Sequence, residues 1–297
     1  MSNAIVSSVK GVVASVVLTV NTLSVFSLLF PLSLVKFILP FPVVRKLVDP
    51  VLNGLAEWWV MVNAAWMKGV QPHPWEITGL SNFRRKGWFL ISSNHQSWVD
   101  ILVLQRVFSN RIPLLKFFLK FELLYVPVMG LAWWALDFPF MRRKGGQSLT
   151  KDIETARKAC EKFRLIPTSV ISFVEGTRIT PGKHAQQKSP YQHLLKPKTG
   201  GLAMALQTMG PLFDSLVDVT IIYPGGVPTF WDLLTGKVKE VIVDVQQVQI
   251  PADLSSAEAA ASPDHRARLQ LWINDLGLRK DAQITERLPA RQKGRFK

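Results

Sequence analysis

The segment Asn94-His95-Gln96-Ser97-Trp98-Val99-Asp100 has the spacing most suggestive of chemistry in this chain. A helix beginning near Ser97 would bring Asp100 back towards the loop that carries His95. The carboxylate can then accept a hydrogen bond from one imidazole nitrogen. That bond fixes the tautomer and raises the basicity of the other nitrogen, as in a triad without its serine. No GxSxG elbow supplies a serine nucleophile. The hydroxyl to be activated must then come from a substrate. A lone His-x4-Asp pattern is common by chance, so its neighbours decide what it means.

Three further clusters follow predicted strands, where α/β sites form. Glu175-Gly176-Thr177-Arg178 comes directly after one. Its glycine permits a sharp turn, and Arg178 offers a planar fork suited to phosphate. Thr177 and backbone N–H groups can add donors. An ordinary turn with a surface ion pair would read the same way. Phe140-Met141-Arg142-Arg143 is either a second cationic contact or a solvated basic cluster. Lys120 is either a third or a snorkelling surface lysine. Pro224 ends the run VDVTIIY and shapes a pocket wall or a plain turn. The remaining histidines, His73, His184, His193 and His265, lie scattered. They give no metal-ligand spacing, so no metal is expected. The single cysteine, Cys160, lies in a helical pattern and reads as a small apolar residue.

Alternating strands and helices must position these groups. Short apolar runs at 87–92, 169–174, 217–223 and 238–248 read as strands. Residues 112–119 read as a strand that Pro113 restricts to a start or an edge, and 134–141 as another. Helices are expected at 98–108, 149–164, 201–209 and 262–276, the last capped by Ser262 ahead of Pro263. The alternation implies an α/β layered sheet. The expected divisions are 1–70, 71–278 and a basic tail, 279–297, with seven basic and two acidic residues.

The N-terminus is different in kind. Gly11 to Val35 contains no charged residue and is bracketed by Lys10 and Lys36. As a helix it would span about 37 Å, enough for a ~30 Å hydrocarbon core. Pro31 should break it, leaving a straight helix at 12–30. A second stretch, 51–66, carries Trp58, Trp59, Trp66 and Glu57 and reads as interfacial. A cleaved signal peptide would need a small-x-small site after the apolar run, and large apolar residues follow instead. Either a single span or a re-entrant helix pair fits. The excess of Lys36, Arg45, Lys46 and Lys68 over Lys10 places the rest of the chain inside. The net charge of +15 suits nucleic acid, an anionic membrane or an anionic substrate.

Taken together, these motifs resemble the lysophosphatidic acid acyltransferases, the 1-acyl-glycerol-3-phosphate O-acyltransferases of phospholipid synthesis. NHQSWVD at 94–100, FMRR at 140–143, FVEGTR at 173–178 and IIYP at 221–224 match in order and spacing. The run PKTGGLAMAL at 197–206 is similar to the lysocardiolipin-type branch and its bacterial relatives. The resemblance implies a mixed sheet flanked by helices, without a bound cofactor. It implies His95 as general base and Asp100 as its orienting partner. Glu175, Gly176, Thr177 and Arg178 would hold the glycerophosphate acceptor. Arg143, or the adjacent Arg142, and Lys120 would assist at the phosphate, and Pro224 would belong to the last motif. The implied partners are the phospholipid bilayer, a lysophospholipid, and acyl-CoA or acyl carrier protein as donor. The implied location is the cytoplasmic side of a bacterial inner membrane. Two departures stand out: Val174 replaces a proline often found before EGTR, and the glycine expected ahead of FMRR is missing, with Asp137 nearby.

Two rival functions remain readable in the same residues. A lipid hydrolase would put water where the acceptor hydroxyl stands. A basic membrane-tethered binding module would use the charge alone, but no reading element for nucleic acid is evident, so none is expected as a partner.

Overall fold

A computed structural model describes residues 2–71, 73–80, 83–142, 147–255 and 264–288. Strand β2 (Trp88–Ser93) lies in the middle of a six-stranded sheet. The order across that sheet is β1 (Glu76–Thr78), β8 (Ile242–Val248), β7 (Phe213–Ile222), β2, β6 (Ser169–Phe173), β3 (Leu115–Phe117). Only the β7–β8 pair is antiparallel, so the sheet is mixed, as expected. Side chains alternate across it with the period of two that a strand imposes. Phe89, Ile91, Ile171 and Val217 point to one face; Leu90, Val170 and Leu216 point to the other. Helix α3 (Val99–Phe108) and the N-terminal helices cover the first face. Helices α5 (Gln147–Phe163), α7 (Gly200–Met209), the short α9 (Ala252–Ser255) and α10 (His265–Arg287) cover the second.

Two long helices precede the sheet. Helix α1 (Ser2–Ile38) and helix α2 (Pro42–Val70) fold back on one another as a hairpin. Buried polar groups fix their register. Asn21 donates to Asn63 Oδ1 at 3.1 Å and to the Trp59 carbonyl at 3.1 Å, and Trp59 Nε1 donates to Thr22 Oγ1 at 3.0 Å. The break expected at Pro31 does not occur, because α1 continues to Ile38. Its last turns are held from outside: Lys36 reaches the Ala135 carbonyl at 3.0 Å and pairs with Asp49 and Asp137. The stretch expected at 51–66 is the middle of α2.

The expected strand at 134–141 is also corrected. Residues Met129–Ala135 form helix α4, and only Phe140–Met141 is a strand, β5, paired with β4 (Leu119–Lys120). Gly130 allows α4 to turn tightly against the preceding 3-10 segment Phe121–Tyr125; a Cβ there would lie 2.0 Å from the Leu124 carbonyl oxygen. Just after α4, Asp137 adopts φ 59°, the left-handed region that glycine enters most easily. The aspartate holds that conformation with three cations around its carboxylate: Lys36, Arg45 and Lys162. At the other end of the chain, the boundary expected at residue 278 falls inside α10. Lys280 and Ile284 are buried. Ser262, Pro263 and the tail from residue 289 onward lie outside the described residues, as does Arg143.

Candidate active site

The loop after β2 is pinned by side chains that imitate backbone. The Asn94 amide donates to the Ile221 carbonyl and accepts from the Ile221 N–H, both at 2.8 Å, extending the β2–β7 ladder by one rung. Gln96 Nε2 donates to the same carbonyl at 2.8 Å. Ser97 Oγ donates to the Pro228 carbonyl at 2.6 Å and accepts the Val99 N–H at 3.1 Å. These bonds set the entry of α3 and so the place of Asp100 in its first turn.

Asp100 is fully buried and surrounded by donors. Its Oδ2 accepts the N–H groups of Gln96 at 2.6 Å and Ser97 at 2.8 Å, and lies 2.8 Å from His95 Nδ1. Its Oδ1 accepts the Tyr223 hydroxyl at 2.6 Å. A carboxylate at a helix N-terminus with this many donors is compensated for its burial. Because Asp100 can only accept when ionised, His95 Nδ1 carries the proton and Nε2 presents a lone pair on the far side of the ring. The imidazole stacks on Phe173, with centroids 3.9 Å apart and planes 12° from parallel. Burial and the adjacent Asp100 charge push the Tyr223 phenol well above its ordinary range, so it stays a donor.

The EGTR turn comes off the end of β6, beside β2 in the sheet. Glu175, implied by the resemblance as an acceptor contact, does not face open space. It is buried, and its two oxygens accept the His95 N–H and the Leu195 N–H, both at 2.8 Å. It ties the histidine loop to the 188–196 loop. Burial pushes its carboxyl up to about 8, against the opposing pull of the Leu195 and His95 N–H groups and of the Lys280 charge. Gly176 takes φ 68°, and the Lys198 side chain passes over it. The Ile179 N–H donates to the His95 carbonyl at 2.9 Å, closing the turn onto the same loop.

Beyond the turn, cations converge. Lys183, near the start of α6 (Pro181–Gln187), donates to Thr177 Oγ1 at 2.7 Å and to the Arg178 carbonyl at 3.0 Å. Its ammonium is lowered by burial and by the nearby charges of Arg178, Lys120 and Lys198. The Arg178 guanidinium lies 4.9 Å from the Trp98 ring centre, just past His95 in sequence. Lys120 is exposed on β4 and joins this patch. Arg142 lies 4.4 Å over the Phe121 ring, on the rim of a neighbouring groove. Pro224 is buried in the turn next to Tyr223.

The structure thus brings His95, Asp100, Glu175, Gly176, Thr177 and Arg178 together at the carboxyl ends of β2 and β6, with Lys120 close by. Tyr223, Asn94, Phe173, Lys183 and Lys198 were not singled out from the sequence. Tyr223 and Phe173 lie within quoted motifs, as Asn94 does, and could have been weighed there. Lys183 lies on the short helix α6, outside every quoted motif, and Lys198 lies within the quoted run at 197–206. Cys160 is buried on α5 and its thiol is pushed up to about 12, which leaves it unreactive. Among the described residues no group of three or more His, Cys, Asp or Glu side chains is arranged to hold a metal ion.

Comparison with known proteins places this geometry. A protein-family model described as Acyltransferase matches residues 75–224, half of the chain and the whole of the site. The 1-acyl-sn-glycerol-3-phosphate acyltransferase 3 of Arabidopsis thaliana is 26% identical over 85% of this chain and 68% of its own length. The gamma enzyme of that name from Mus musculus is 30% identical over 56% of this chain and 44% of its own length. The chain therefore spans between about half and two thirds of such relatives. The crystal structure of the 1-acyl-sn-glycerophosphate (LPA) acyltransferase PlsC from Thermotoga maritima superposes with a TM-score of 0.52 at 17% identity, covering 95% of this chain and 99% of that one. That likeness bears on the fold. The family match over the residues that build the site shows that this chain belongs to the acyltransferase family.

Proposed function

We propose that the chain transfers a fatty acyl group from a thioester to the free hydroxyl of a lysophospholipid, most directly 1-acylglycerol-3-phosphate, giving phosphatidic acid. The observation that carries this is the pairing of a His95–Asp100 dyad, Nε2 unblocked by Asp100, with the cations at Arg178, Lys183 and Lys120. The relatives' names point to the same acceptor.

The chemistry balances without a protein nucleophile. The acceptor hydroxyl loses its proton to His95 Nε2 as its oxygen attacks the thioester carbonyl carbon. The tetrahedral adduct collapses, the C–S bond breaks, and the departing thiolate takes the proton back from the imidazolium. Asp100 stabilises the transient positive charge. Coenzyme A and acyl carrier protein thioesters both satisfy this step. A phosphate monoester carries up to two negative charges, and a patch of several cations suits it better than a neutral or zwitterionic headgroup.

The N-terminal hairpin supports action at a bilayer. Residues 5–38 are long and apolar enough to cross one. Yet both ends of α1 touch the α/β domain. A Cβ on Gly11 would meet Thr235 at 2.7 Å and Trp231 at 2.9 Å, beside helix α8 (Phe230–Leu234), while Lys36 bonds Ala135 and Asp137. Those points are about 37 Å apart along a helix. A domain in contact with both ends runs alongside the helix, which favours a hairpin embedded in one leaflet over a span. The exposed apolar side chains of α1, of α2 and of Leu131 and Trp134 on α4 would form the embedded surface. We place the site on the cytoplasmic side, from the excess of Lys36, Arg45, Lys46 and Lys68 over Lys10.

The test is a product assay. Purified protein in detergent micelles receives labelled oleoyl-CoA with and without lysophosphatidate. Diacyl product that depends on lysophosphatidate supports transfer. Free fatty acid released equally without it would mean hydrolysis and would refute the proposal.

A further inference from the structure

Two large recesses lie away from His95, along the β3 edge of the sheet. One, of about 1000 Å³, runs beside α5; another, of about 700 Å³, opens from it beneath the ends of the hairpin. They share Lys36, Arg45, Asp137 and Lys162. Pro167 and Thr168, which precede β6, line the smaller recess. His95 follows the carboxyl end of β2, which runs parallel to β6. The smaller recess and the dyad therefore lie at opposite ends of the sheet.

Charge in the smaller recess is unbalanced. Among the described residues, Lys36, Arg45 and Lys162 share Asp49 and Asp137, with ion-pair distances from 2.5 to 3.7 Å. Lys116, on β3, adds a buried cation whose neighbours are the Leu136 carbonyl at 2.9 Å and the Phe163 ring centre at 4.8 Å. Its ammonium is pushed down to about 8 by burial, only partly offset by Asp137. Lys46 stands exposed at the mouth. Positive charge held out of bulk water in excess of its partners favours an incoming anion.

The rim is apolar. Phe37, Phe41, Val43 and Leu47 are all more than half exposed and surround the turn between α1 and α2. Lys36 ends the uncharged run of α1, at the depth where a lipid headgroup would begin. A cationic floor with a lipid-facing rim matches a molecule with a phosphate and acyl chains. We propose that this recess binds the phosphate of an anionic bilayer lipid, at a site separate from the catalytic centre. Such a lipid would complete the ion cluster that locks the hairpin to Asp137. The inference rests on the hairpin lying at a bilayer and does not depend on how His95 works.

The test uses the full chain in a neutral maltoside detergent, titrated with dioleoyl phosphatidylglycerol or dioleoyl phosphatidylcholine and read by native mass spectrometry. Wild-type protein and His95→Ala should both prefer phosphatidylglycerol. Reversing two exposed charges, Lys46→Glu with Lys162→Glu, should weaken it by about tenfold or more, since each basic residue near a headgroup contributes on the order of 1 kcal/mol. Lys116→Met, which replaces a buried cation by an apolar chain of similar length, should weaken it too and keeps the test valid if the double variant melts early. Excess inorganic phosphate or coenzyme A should leave the lipid bound. Equal affinity for the two lipids, or no loss in the folded variants, would overturn the proposal. Displacement by coenzyme A would assign the recess to the acyl donor, and displacement by free phosphate would show a site for soluble anions; either would also overturn it.

Discussion

Tyr223→Phe removes one hydroxyl and tests how the dyad is held. The phenol donates to Asp100 Oδ1 at 2.6 Å, on the side of the carboxylate opposite the bonds to Gln96, Ser97 and His95. Both partners are buried, so water cannot readily replace the lost donor. A hydrogen bond to a charged group is worth about 1.5–3 kcal/mol. At roughly 2–4 °C per kcal/mol for a chain of this class, the melting temperature should fall by about 3–12 °C. The bond also holds Asp100 and, through it, the imidazole in place, so looser positioning should lower kcat by on the order of 10- to 100-fold. Tyr223 is fully buried behind Asp100, so the acceptor KM should hold. A second sign is specific to positioning. With one donor fewer, Asp100 keeps more negative charge and favours the imidazolium, so the acid limb of kcat/KM should move to higher pH. The assay is steady-state acyl transfer across pH 5–9 on folded variant, beside thermal melting. A lower melting temperature with unchanged kcat and an unmoved acid limb would refute the coupling of Tyr223 to the dyad.

Three other outcomes follow from the same geometry. Arg178→Lys keeps the charge but loses the planar fork and its stacking on Trp98, so the acceptor KM should rise by about tenfold with a smaller change in kcat; unchanged acceptor saturation would remove Arg178 from the phosphate site. Lys183→Ala frees Thr177 Oγ1 and thins the cationic patch, so the acceptor KM should rise and its dependence on ionic strength should weaken; an unaltered salt profile would count against it. Glu175 has its folded carboxyl raised to about 8, so the folded state holds a proton that the unfolded chain has already released. Its contribution to stability is then full below about pH 4.5 and is lost as pH rises towards 8. Glu175→Gln should flatten the stability profile between those limits, measured by denaturant unfolding at several pH values; an identical slope would show that Glu175 does not titrate there.

Local features of the site were legible and distant ones were not. His95 and Asp100 are five residues apart across a helix start, so a short stretch of sequence fixes their contact. The strands under the site are continuous apolar runs, readable because both faces of the sheet are covered. Tyr223 meets Asp100 across 123 positions of sequence, and no local pattern announces that contact. For Glu175 the family resemblance implies an acceptor contact; its two backbone partners come from separate loops that only the fold brings together. The run at 134–141 was misread because a short apolar stretch does not separate a helix from a strand. Pro31 was expected to end α1, and the ion pairs of Lys36 with Asp49 and Asp137 hold the helix past it. The missing glycine near FMRR gains a physical counterpart in Asp137, which takes a glycine-like φ and gathers three cations.

The most direct measurement is acyl transfer by His95→Ala in micelles, with lysophosphatidate and oleoyl-CoA saturating and the diacyl product counted by mass spectrometry. A general base typically contributes ~100- to ~10,000-fold, so kcat should fall by at least about 100-fold in a variant that remains folded and still binds vesicles. Near-normal formation of the diacyl product by folded His95→Ala would contradict the assignment of His95 as the base.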